Sequence, residues 1–152
     1  MAMDDVKETL VLIKPNAVKR GLTGNIIRWF EQRGLCICAM KMLRIAPELA
    51  AKHYAEHIEK PFYGELVEYI TSGPVVAMVV SGPEAVEVVR HIVGATNPLE
   101  AVPGSIRGKY ATSICCNAVH ASDSEASAKR EIALFFEPDE IVNYGTELWE
   151  GE

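Results

Sequence analysis

The sequence predicts an α+β fold in which helices cover an antiparallel sheet of four strands. Short β-rich runs alternate with segments of helical spacing, in the order strand, helix, strand, helices, strand, helix, strand, helix. This order contains a ferredoxin-like βαββαβ core, with helices inserted between the second and third strands and a long loop before the last strand. A length of 152 residues at 49% hydrophobic composition fits one compact domain over residues 1–152.

The beginning of the chain predicts two strands with a helix between them. Residues 9–13 form a β-rich run that carries Lys14 to the edge of a sheet. Apolar positions at helical spacing before Gly34 predict a helix over residues 24–33. Small apolar and longer side chains then alternate over residues 35–45, which indicates the second strand.

Two helices are expected before the third strand. Pro47 suits the first turn of a helix that reaches about Ala55. Apolar side chains at residues 61–72 indicate another helix, which ends at Gly73. Residues 74–80 are continuously apolar and bounded by Gly-Pro on both sides, which predicts a central strand buried on both faces.

The last elements surround a long loop. A helix is expected over residues 83–94, opened by a proline. Residues 95–107 lack periodicity and contain prolines and a glycine, which is typical of an ordered functional loop. A short strand around Ala118 and a helix over residues 124–136 follow, and Glu137 begins a final helical turn.

The composition excludes several classes of protein. The net charge of −6 argues against a general nucleic-acid binder, which needs many cations to neutralise phosphates. The longest purely apolar run, residues 75–80, is too short to span a bilayer. We therefore expect a soluble, cytoplasmic protein that requires neither a nucleic acid nor a membrane.

The cysteines and two of the histidines suggest no metal site. The cysteines occur as C-x-C and C-C without the spacing of a zinc ribbon, so they are expected to be small buried hydrophobes. They lie at Cys36, Cys38, Cys115 and Cys116. His53 and His57 lie four residues apart on an expected helix, but no acid at the spacing of a zinc protease accompanies them.

An imidazole lies just before the last long helix. His120 ends a short apolar run, and Ser122 and Glu125 have the S-x-x-E spacing of a capping box. Free N–H groups at a helix start favour phosphate, so this position suits a phosphate-binding nucleophile. On local pattern alone, a solvated histidine at a strand end is the more common interpretation.

Three cations lie on connections of an otherwise acidic chain. Lys14 ends a strand, Arg90 ends a helix and Arg107 ends the long loop. If they converge on His120, they form a clamp for a triphosphate, because arginine and lysine together neutralise a transferring phosphoryl group. Each of them taken singly is more often a solvated surface cation.

Other nucleotide and hydrolase motifs fail. Residues 104–110 resemble a P-loop but have one residue too few between the glycines, with Tyr110 in place of the serine or threonine that holds Mg²⁺. The chain lacks the signature set of protein kinases. His120, Ser122 and Asp123 are neighbours in one turn and cannot align as a serine hydrolase triad.

Several motifs in the same order resemble the nucleoside diphosphate kinase family over essentially the whole chain. They are T-L-V-L-I-K-P-N at residues 9–16, H-Y-A-E-H and P-F-Y within residues 53–63, S-G-P-V-V-A-M at 72–78, T-N-P at 96–98, P-G-S-I-R-G at 103–108 and N-A-V-H-A-S-D-S at 117–124. Two positions depart from the common pattern: Lys109 stands where an acid is frequent, and Asn16 replaces a frequent aspartate.

The resemblance implies a Mg²⁺-dependent enzyme that moves the γ-phosphate of a nucleoside triphosphate to a diphosphate through a phosphohistidine. It implies catalytic or supporting roles for His120, Glu131, Tyr54 and Ser122, and nucleotide binding by Lys14, Phe62, Leu66, Arg90, Thr96, Arg107 and Asn117. No residue is implied as a metal ligand, since nucleotide phosphates hold most of the Mg²⁺. Two alternatives are a regulatory scaffold and a histidine phosphocarrier that relays phosphate to proteins.

Two further expectations concern backbone and assembly. Strict period-two alternation would place Asn117 and His120 on opposite faces, so the chain must bulge or turn between them if both serve one site. The resemblance implies dimers joined into a hexamer, with a tetramer as the alternative. Apolar or rigid residues of the long loop and the tail are expected on the assembly surface: Pro98, Pro103, Ile106, Leu148 and Trp149.

Overall fold

Four antiparallel strands form one sheet in the order β2-β3-β1-β4 within the computed structural model, which describes residues 6–112 and 117–145. The strands are β1 (Val6–Ile13), β2 (Cys36–Leu43), β3 (Val75–Pro83) and β4 (Val119–Ala121). Every neighbouring pair is antiparallel, and β1 pairs with β3 along its full length, from Val6 opposite Pro83 to Ile13 opposite Val76. This is the ferredoxin-like α+β topology, so the predicted fold is confirmed.

The helices lie in the connections between these strands. They are α1 (Pro15–Lys19), α2 (Thr23–Gln32), α3 (Pro47–His53), α4 (Tyr63–Ile70), α5 (Ala85–Val93), α6 (Ile106–Tyr110) and α7 (Glu125–Phe135), with short 3₁₀ turns at Ala55–His57 and Pro138–Glu140. No helix in the described part of the chain is long and apolar enough to cross a membrane.

Both faces of the sheet are buried, as the apolar run of β3 predicted. Alternate residues of β1 point to opposite faces, so Val11 and Ile13 pack with α2 and α5, while Leu10 and Leu12 pack with α3, α4 and α7. His120 lies opposite Leu12 in the β1–β4 ladder. Directly paired residues share a face, so His120 points toward the layer formed by α3, α4 and α7.

Two short helices were not predicted, and one boundary was wrong. Both α1 and α6 have five residues, too few to show a helical period. The helix expected from Pro83 begins at Ala85 instead, because β3 continues through Pro83 and Glu84 adopts a left-handed conformation with φ 52°.

The α6 helix also corrects the expected assembly surface. Its N-cap is Ser105, whose hydroxyl accepts from the Gly108 N–H at 3.1 Å. Ile106 was expected on that surface but is fully buried in the core beside α5. The apolar first turn of α6 therefore anchors the long loop to the protein interior.

The predicted capping box at the start of α7 is wrong. Ser124 is the N-cap, and its hydroxyl accepts from the Ser127 N–H at 3.0 Å. Ser122 instead extends the sheet, since its N–H donates to the Leu10 carbonyl at 3.1 Å. A spacing of S-x-x-E alone did not distinguish Ser122 from the serine two positions later.

The turn required between Asn117 and His120 lies at Ala118. This residue has a φ of 73°, and a positive φ is rare for residues other than glycine. The Val119 N–H bonds back to the Asn117 carbonyl at 2.9 Å, and the Lys14 N–H bonds to the Ala118 carbonyl at 2.9 Å. The turn therefore joins the ends of β1 and β4.

Cys36 and Cys38 are buried, as expected for small hydrophobes. The expectations for Cys115, Cys116, Leu148 and Trp149 fall outside the described residues.

Candidate active site

A cavity of about 690 Å³ opens beside the ends of β1 and β4. Residues from the long loop, from the ends of β1 and β4 and from helices α3 to α7 line it. Every residue assigned from the sequence to catalysis or nucleotide binding lies on its wall, except Ser122: Lys14, Tyr54, Phe62, Leu66, Arg90, Thr96, Arg107, Asn117, His120 and Glu131. The fold therefore brings together side chains that are as far as 117 positions apart in sequence, from Lys14 to Glu131.

His120 is held by a buried carboxylate from α7. Its Nε2 lies 2.7 Å from Glu131 Oε1, and the Ser122 hydroxyl donates to the same oxygen at 2.8 Å. Arg130 lies 3.6 Å from the other oxygen, Oε2. The His120 side chain is one-fifth exposed and Glu131 is buried. Ser122 thus lies behind the cavity wall, where it orients Glu131.

His120 is neutral at physiological pH. Burial lowers its pKa to about 3, and the charges of Lys14 and Arg107 act in the same direction. Burial raises the pKa of Glu131, while the Ser122 hydrogen bond favours its ionised form. As a carboxylate, Glu131 has no proton to donate, so Oε1 accepts both the Ser122 hydroxyl proton and the Nε2 proton of a neutral His120 ring. The lone pair of this imidazole is therefore on Nδ1.

Lys14 and Asn117 form a buried polar pair at the sheet edge. Lys14 Nζ donates to Asn117 Oδ1 at 2.9 Å, and Asn117 Nδ2 donates to the Thr96 carbonyl at 3.2 Å. Both side chains are nearly fully buried. The end of β1, the turn before β4 and the long loop are thus connected by one hydrogen-bonded chain.

Arg107 is fixed by backbone carbonyls. Its guanidinium donates to the Gly94 carbonyl at 3.0 Å and to the Val119 carbonyl at 2.9 Å. Its Nε has no hydrogen-bond partner within residues 6–112 and 117–145, although it is buried. Burial, together with the neighbouring charge of Arg90, lowers the Arg107 pKa to about 10. Arg107 remains a cation at neutral pH and is preorganised beside β4.

An aromatic side chain forms the outer rim. Phe62 precedes α4, is 44% exposed, and lies 5.8 Å from the His57 ring centroid. Lys60 Nζ lies 5.7 Å from the centre of the Phe62 ring. With Leu66 on the next turn, this rim offers an exposed apolar face to a planar ligand.

Deeper in the cavity, Tyr54 is 6% exposed, and its hydroxyl has no hydrogen-bond partner among the described residues. Burial raises the Tyr54 pKa, so the phenol is protonated and available as a donor.

Seven residues on the cavity wall were not predicted from the sequence. They are His53, Glu56, His57, Glu65, Ala121, Asp123 and Arg130. The largest omission is His53, whose ring lies 4.5 Å from that of His120 at an angle of 79°. Local sequence around His53 indicates only a helix, and its contact with β4 depends on tertiary packing. Lys109 is exposed and lies 5.5 Å from the Tyr110 ring, outside the residues that line the cavity.

The sequence profile of the family described as nucleoside diphosphate kinase matches residues 7–141. The chain belongs to the nucleoside diphosphate kinase family. This confirms the resemblance inferred from the motifs. The match spans nearly all described residues, from β1 to the segment after α7.

Curated relatives and solved structures agree with this assignment. A nucleoside diphosphate kinase of Archaeoglobus fulgidus is 60% identical over 139 residues, covering 91% of this chain and 92% of the relative. A nucleoside diphosphate kinase of Pyrococcus abyssi is 58% identical over 147 residues, covering 95% of this chain and 92% of the relative. A solved structure of the Halobacterium salinarum nucleoside diphosphate kinase in complex with CDP has a TM-score of 0.92 at 46% identity, covering 95% of this chain and 97% of that one.

The family assignment establishes the coarse activity. The protein is a phosphotransferase that moves a phosphate group between nucleoside triphosphates and nucleoside diphosphates. The family uses a divalent metal ion.

Proposed function

We propose that the enzyme transfers the γ-phosphate, mainly from ATP, to nucleoside diphosphates by a ping-pong mechanism with a phosphohistidine at His120. Such a reaction maintains the pools of nucleoside and deoxynucleoside triphosphates. The hydrogen bond from His120 Nε2 to Glu131 carries the proposal, because it leaves the lone pair on Nδ1 of a ring that lines the cavity. A neutral imidazole needs no separate base to attack phosphorus.

In the first half-reaction, His120 Nδ1 forms a bond to the γ-phosphorus as the bond to the β,γ-bridging oxygen breaks. The nucleoside diphosphate leaves with that oxygen. The ring becomes positively charged as it is phosphorylated, and the ionised Glu131 at 2.7 Å stabilises this charge. A second nucleoside diphosphate then attacks the phosphohistidine, which regenerates the neutral ring.

Three cations and one hydroxyl are proposed to bind the nucleotide phosphates. Lys14 and Arg107 are buried and held in place, while Arg90 is exposed at the end of α5. Thr96 adds a hydroxyl from the long loop. The cations would neutralise the charge of the transferring phosphoryl group, and Lys14 and Arg107 would do so without moving at the moment of reaction, which is the main requirement of phosphoryl transfer.

The remaining wall residues are proposed to bind the nucleoside. Asn117 and Lys14 would contact the sugar hydroxyls, and Phe62 would stack on the base with Leu66 beside it. Tyr54 would support the site as a protonated donor. Stacking depends little on which base is present, so we propose broad specificity for purine and pyrimidine nucleotides.

We propose Mg²⁺ as the divalent metal, held mainly by the nucleotide phosphates. The ion prefers oxygen ligands in near-octahedral geometry. The group of potential ligands on the cavity wall, His53, His120 and Glu131, offers two nitrogens and one oxygen and does not fit this preference. When bound, Mg²⁺ neutralises phosphate charge during transfer.

The test is to mix the purified protein with Mg²⁺ and labelled ATP, remove free nucleotide, and chase with a nucleoside diphosphate. We expect a label that is acid-labile and alkali-stable, and its transfer to the diphosphate. His120→Ala should abolish the label and lower exchange by at least about 10³-fold. Wild-type exchange by this variant would contradict the mechanism. A label with no nucleotide acceptor would favour the phosphocarrier, and no label would favour the scaffold.

We also propose a cytoplasmic homo-oligomer, with a hexamer favoured over a tetramer. Exposed apolar side chains of the long loop support the assembly: Leu99 is 94% exposed and Val102 is 63% exposed. Light scattering distinguishes these masses, and a monomeric mass at micromolar concentration would contradict the proposal.

A further inference from the structure

A second histidine lies beside the proposed nucleophile and has no part in the proposed reaction. His53 ends α3, is 5% exposed, and packs edge-to-face between His120 and Phe135, with centroid distances of 4.5 Å and 5.5 Å. Neither of its ring nitrogens has a hydrogen-bond partner within residues 6–112 and 117–145. A buried polar ring without a partner costs free energy, so its position calls for a function.

The donor atoms around His53 match those of a transition-metal site. One nitrogen each of His53 and His120 and one carboxylate oxygen of Glu131 lie within 4.8 Å of one another. Two imidazoles and one carboxylate, with a fourth position for water, form one of the ligand sets typical of Zn²⁺. We propose that His53, His120 and Glu131 bind a zinc-like divalent ion that reversibly inhibits the enzyme.

The site needs only a small adjustment to close on such an ion. Zn²⁺ bonds to nitrogen and oxygen are about 2.0 to 2.2 Å long, so ligands in a tetrahedral site lie roughly 3.4 Å apart. The separation of up to 4.8 Å must therefore shorten by somewhat more than 1 Å. Rotation of the His53 side chain would supply this shortening, because its ring nitrogens have no hydrogen bond to lose in the described structure. The 2.7 Å separation between His120 Nε2 and Glu131 Oε1 would widen as the ion replaces the proton between them.

The metal would inhibit by changing the tautomer of His120. It replaces the hydrogen bond between Nε2 and Glu131, so Nε2 gives its lone pair to the ion and the ring proton moves through solvent to Nδ1. The ion loses bound water, and the net charge of the ring is unchanged. Nδ1 then carries a proton in place of the lone pair that attacks phosphorus.

The surrounding charges limit the affinity. Lys14 and Arg107 repel a divalent cation and oppose the attraction of Glu131. We therefore expect binding that a chelator reverses readily. Phosphorylation of His120 on Nδ1 would prevent metal binding. In the phosphohistidine, Nε2 keeps its proton, which is hydrogen-bonded to Glu131, so neither ring nitrogen has a lone pair for the ion.

Cobalt is a suitable probe, since Co²⁺ accepts the same ligands as Zn²⁺ and gives intense visible bands in four-coordinate sites. We expect one equivalent of Co²⁺ to produce these bands with the unphosphorylated full-length protein, and Zn²⁺ to displace it. His53→Asn should weaken binding by at least tenfold. His91→Asn is the matched control, because His91 is an exposed histidine 3.9 Å from Glu87 and should bind as wild type does.

Three results would overturn the proposal. The first is wild-type cobalt binding by His53→Asn, and the second is an absence of the visible bands in the wild type. The third is a near-ultraviolet thiolate-to-cobalt band, which would assign the metal to cysteine. If His53→Asn folds poorly by circular dichroism, the wild-type phosphoenzyme, freed of nucleotide, provides the test without mutation. It should lack the bands, and bands equal to those of the free enzyme would refute the site.

The inhibitory consequence rests on the proposed phosphohistidine, whereas metal binding does not. Protein loaded with one equivalent of Zn²⁺ and freed of excess metal should be phosphorylated by Mg²⁺-ATP at least tenfold more slowly, and a chelator should restore the rate. An unchanged rate in loaded protein would refute inhibition. Failure of the metal-free protein to become phosphorylated would refute the proposed function instead, and the cobalt spectra would still decide the site.

Discussion

Replacing Glu131 by glutamine tests how the carboxylate acts on His120. In the structure, Oε1 accepts both the His120 Nε2 proton and the Ser122 hydroxyl proton, while Oε2 faces Arg130 at 3.6 Å. The amide of glutamine can keep its oxygen toward the two donors and turn its NH₂ group away. The His120 tautomer is then retained, and only the negative charge is lost.

The magnitude follows from this geometry. A hydrogen bond to a charged group contributes about 1.5 to 3 kcal/mol and a neutral one about 0.5 to 1.5 kcal/mol. Loss of the charge therefore costs about 1 to 1.5 kcal/mol in the phosphorylation step, which is roughly a tenfold slower rate. Glu131→Ala, which leaves Nε2 without its acceptor, should cost more, about 100-fold.

The assay is rapid-quench measurement of enzyme phosphorylation at saturating Mg²⁺-ATP. Ser122→Ala is the matched control: it removes one donor to Glu131 but leaves the bond to His120, and should slow the step by less than about fivefold. A rate for Glu131→Gln within twofold of wild type would show that the charge is not used. A phosphorylation rate more than about 10³-fold below that of wild type would show that the glutamine amide reverses the His120 tautomer, which contradicts the expected retention of that tautomer.

Three further predictions concern stability, base binding and backbone. Burial lowers the pKa of His120 to about 3 and that of His53 to about 2, so the unfolded chain binds more protons below pH 6.5. The free energy of unfolding should fall by about 1 kcal/mol per pH unit from each ring as the pH drops from 6.5 to 5; urea titrations of wild type and His53→Asn measure this, and a flat profile would contradict it. Phe62→Ala should raise the KM for ADP, GDP and CDP alike by about tenfold, because stacking contributes about 1 to 3 kcal/mol for any base, and a change confined to one base would contradict stacking. Gly108→Ala should destabilise the protein by about 3 kcal/mol in thermal unfolding, because a Cβ there would collide with a backbone carbonyl of the long loop. Gly104→Ala should change stability by less than about 0.5 kcal/mol, because no atom of the described residues lies within 4 Å of the added Cβ.

The strands show why the apolar pattern of the sequence predicted the sheet. Residues 74–80 are apolar throughout, and β3 is the strand buried on both faces between β1 and β2. Helices α2 and α7 were likewise expected near their observed bounds, because each has enough turns to display an apolar face. The spacing of apolar residues in the sequence indicates both the type of these elements and which of their residues are buried.

Short elements required the tertiary structure. The five residues of α1 and of α6 show no period, and the start of α5 depends on how far β3 stays paired to β1. Ser122 and Ser124 both fit a helix cap by residue type. The pairing of Ser122 with Leu10, a contact between distant segments, decides that Ser124 is the cap.

By itself, the sequence determined the order of the main elements and ten of the residues that line the cavity, because motifs in fixed order identify the family. Only the tertiary structure decided the chemistry of His120. Its tautomer depends on Glu131 and Ser122, and its lowered pKa depends on burial and on charges from other elements. The position of His53 against His120 was decided in the same way. Hydrogen bonding, desolvation and Coulomb interactions act through distance in space, and separation along the chain does not encode that distance.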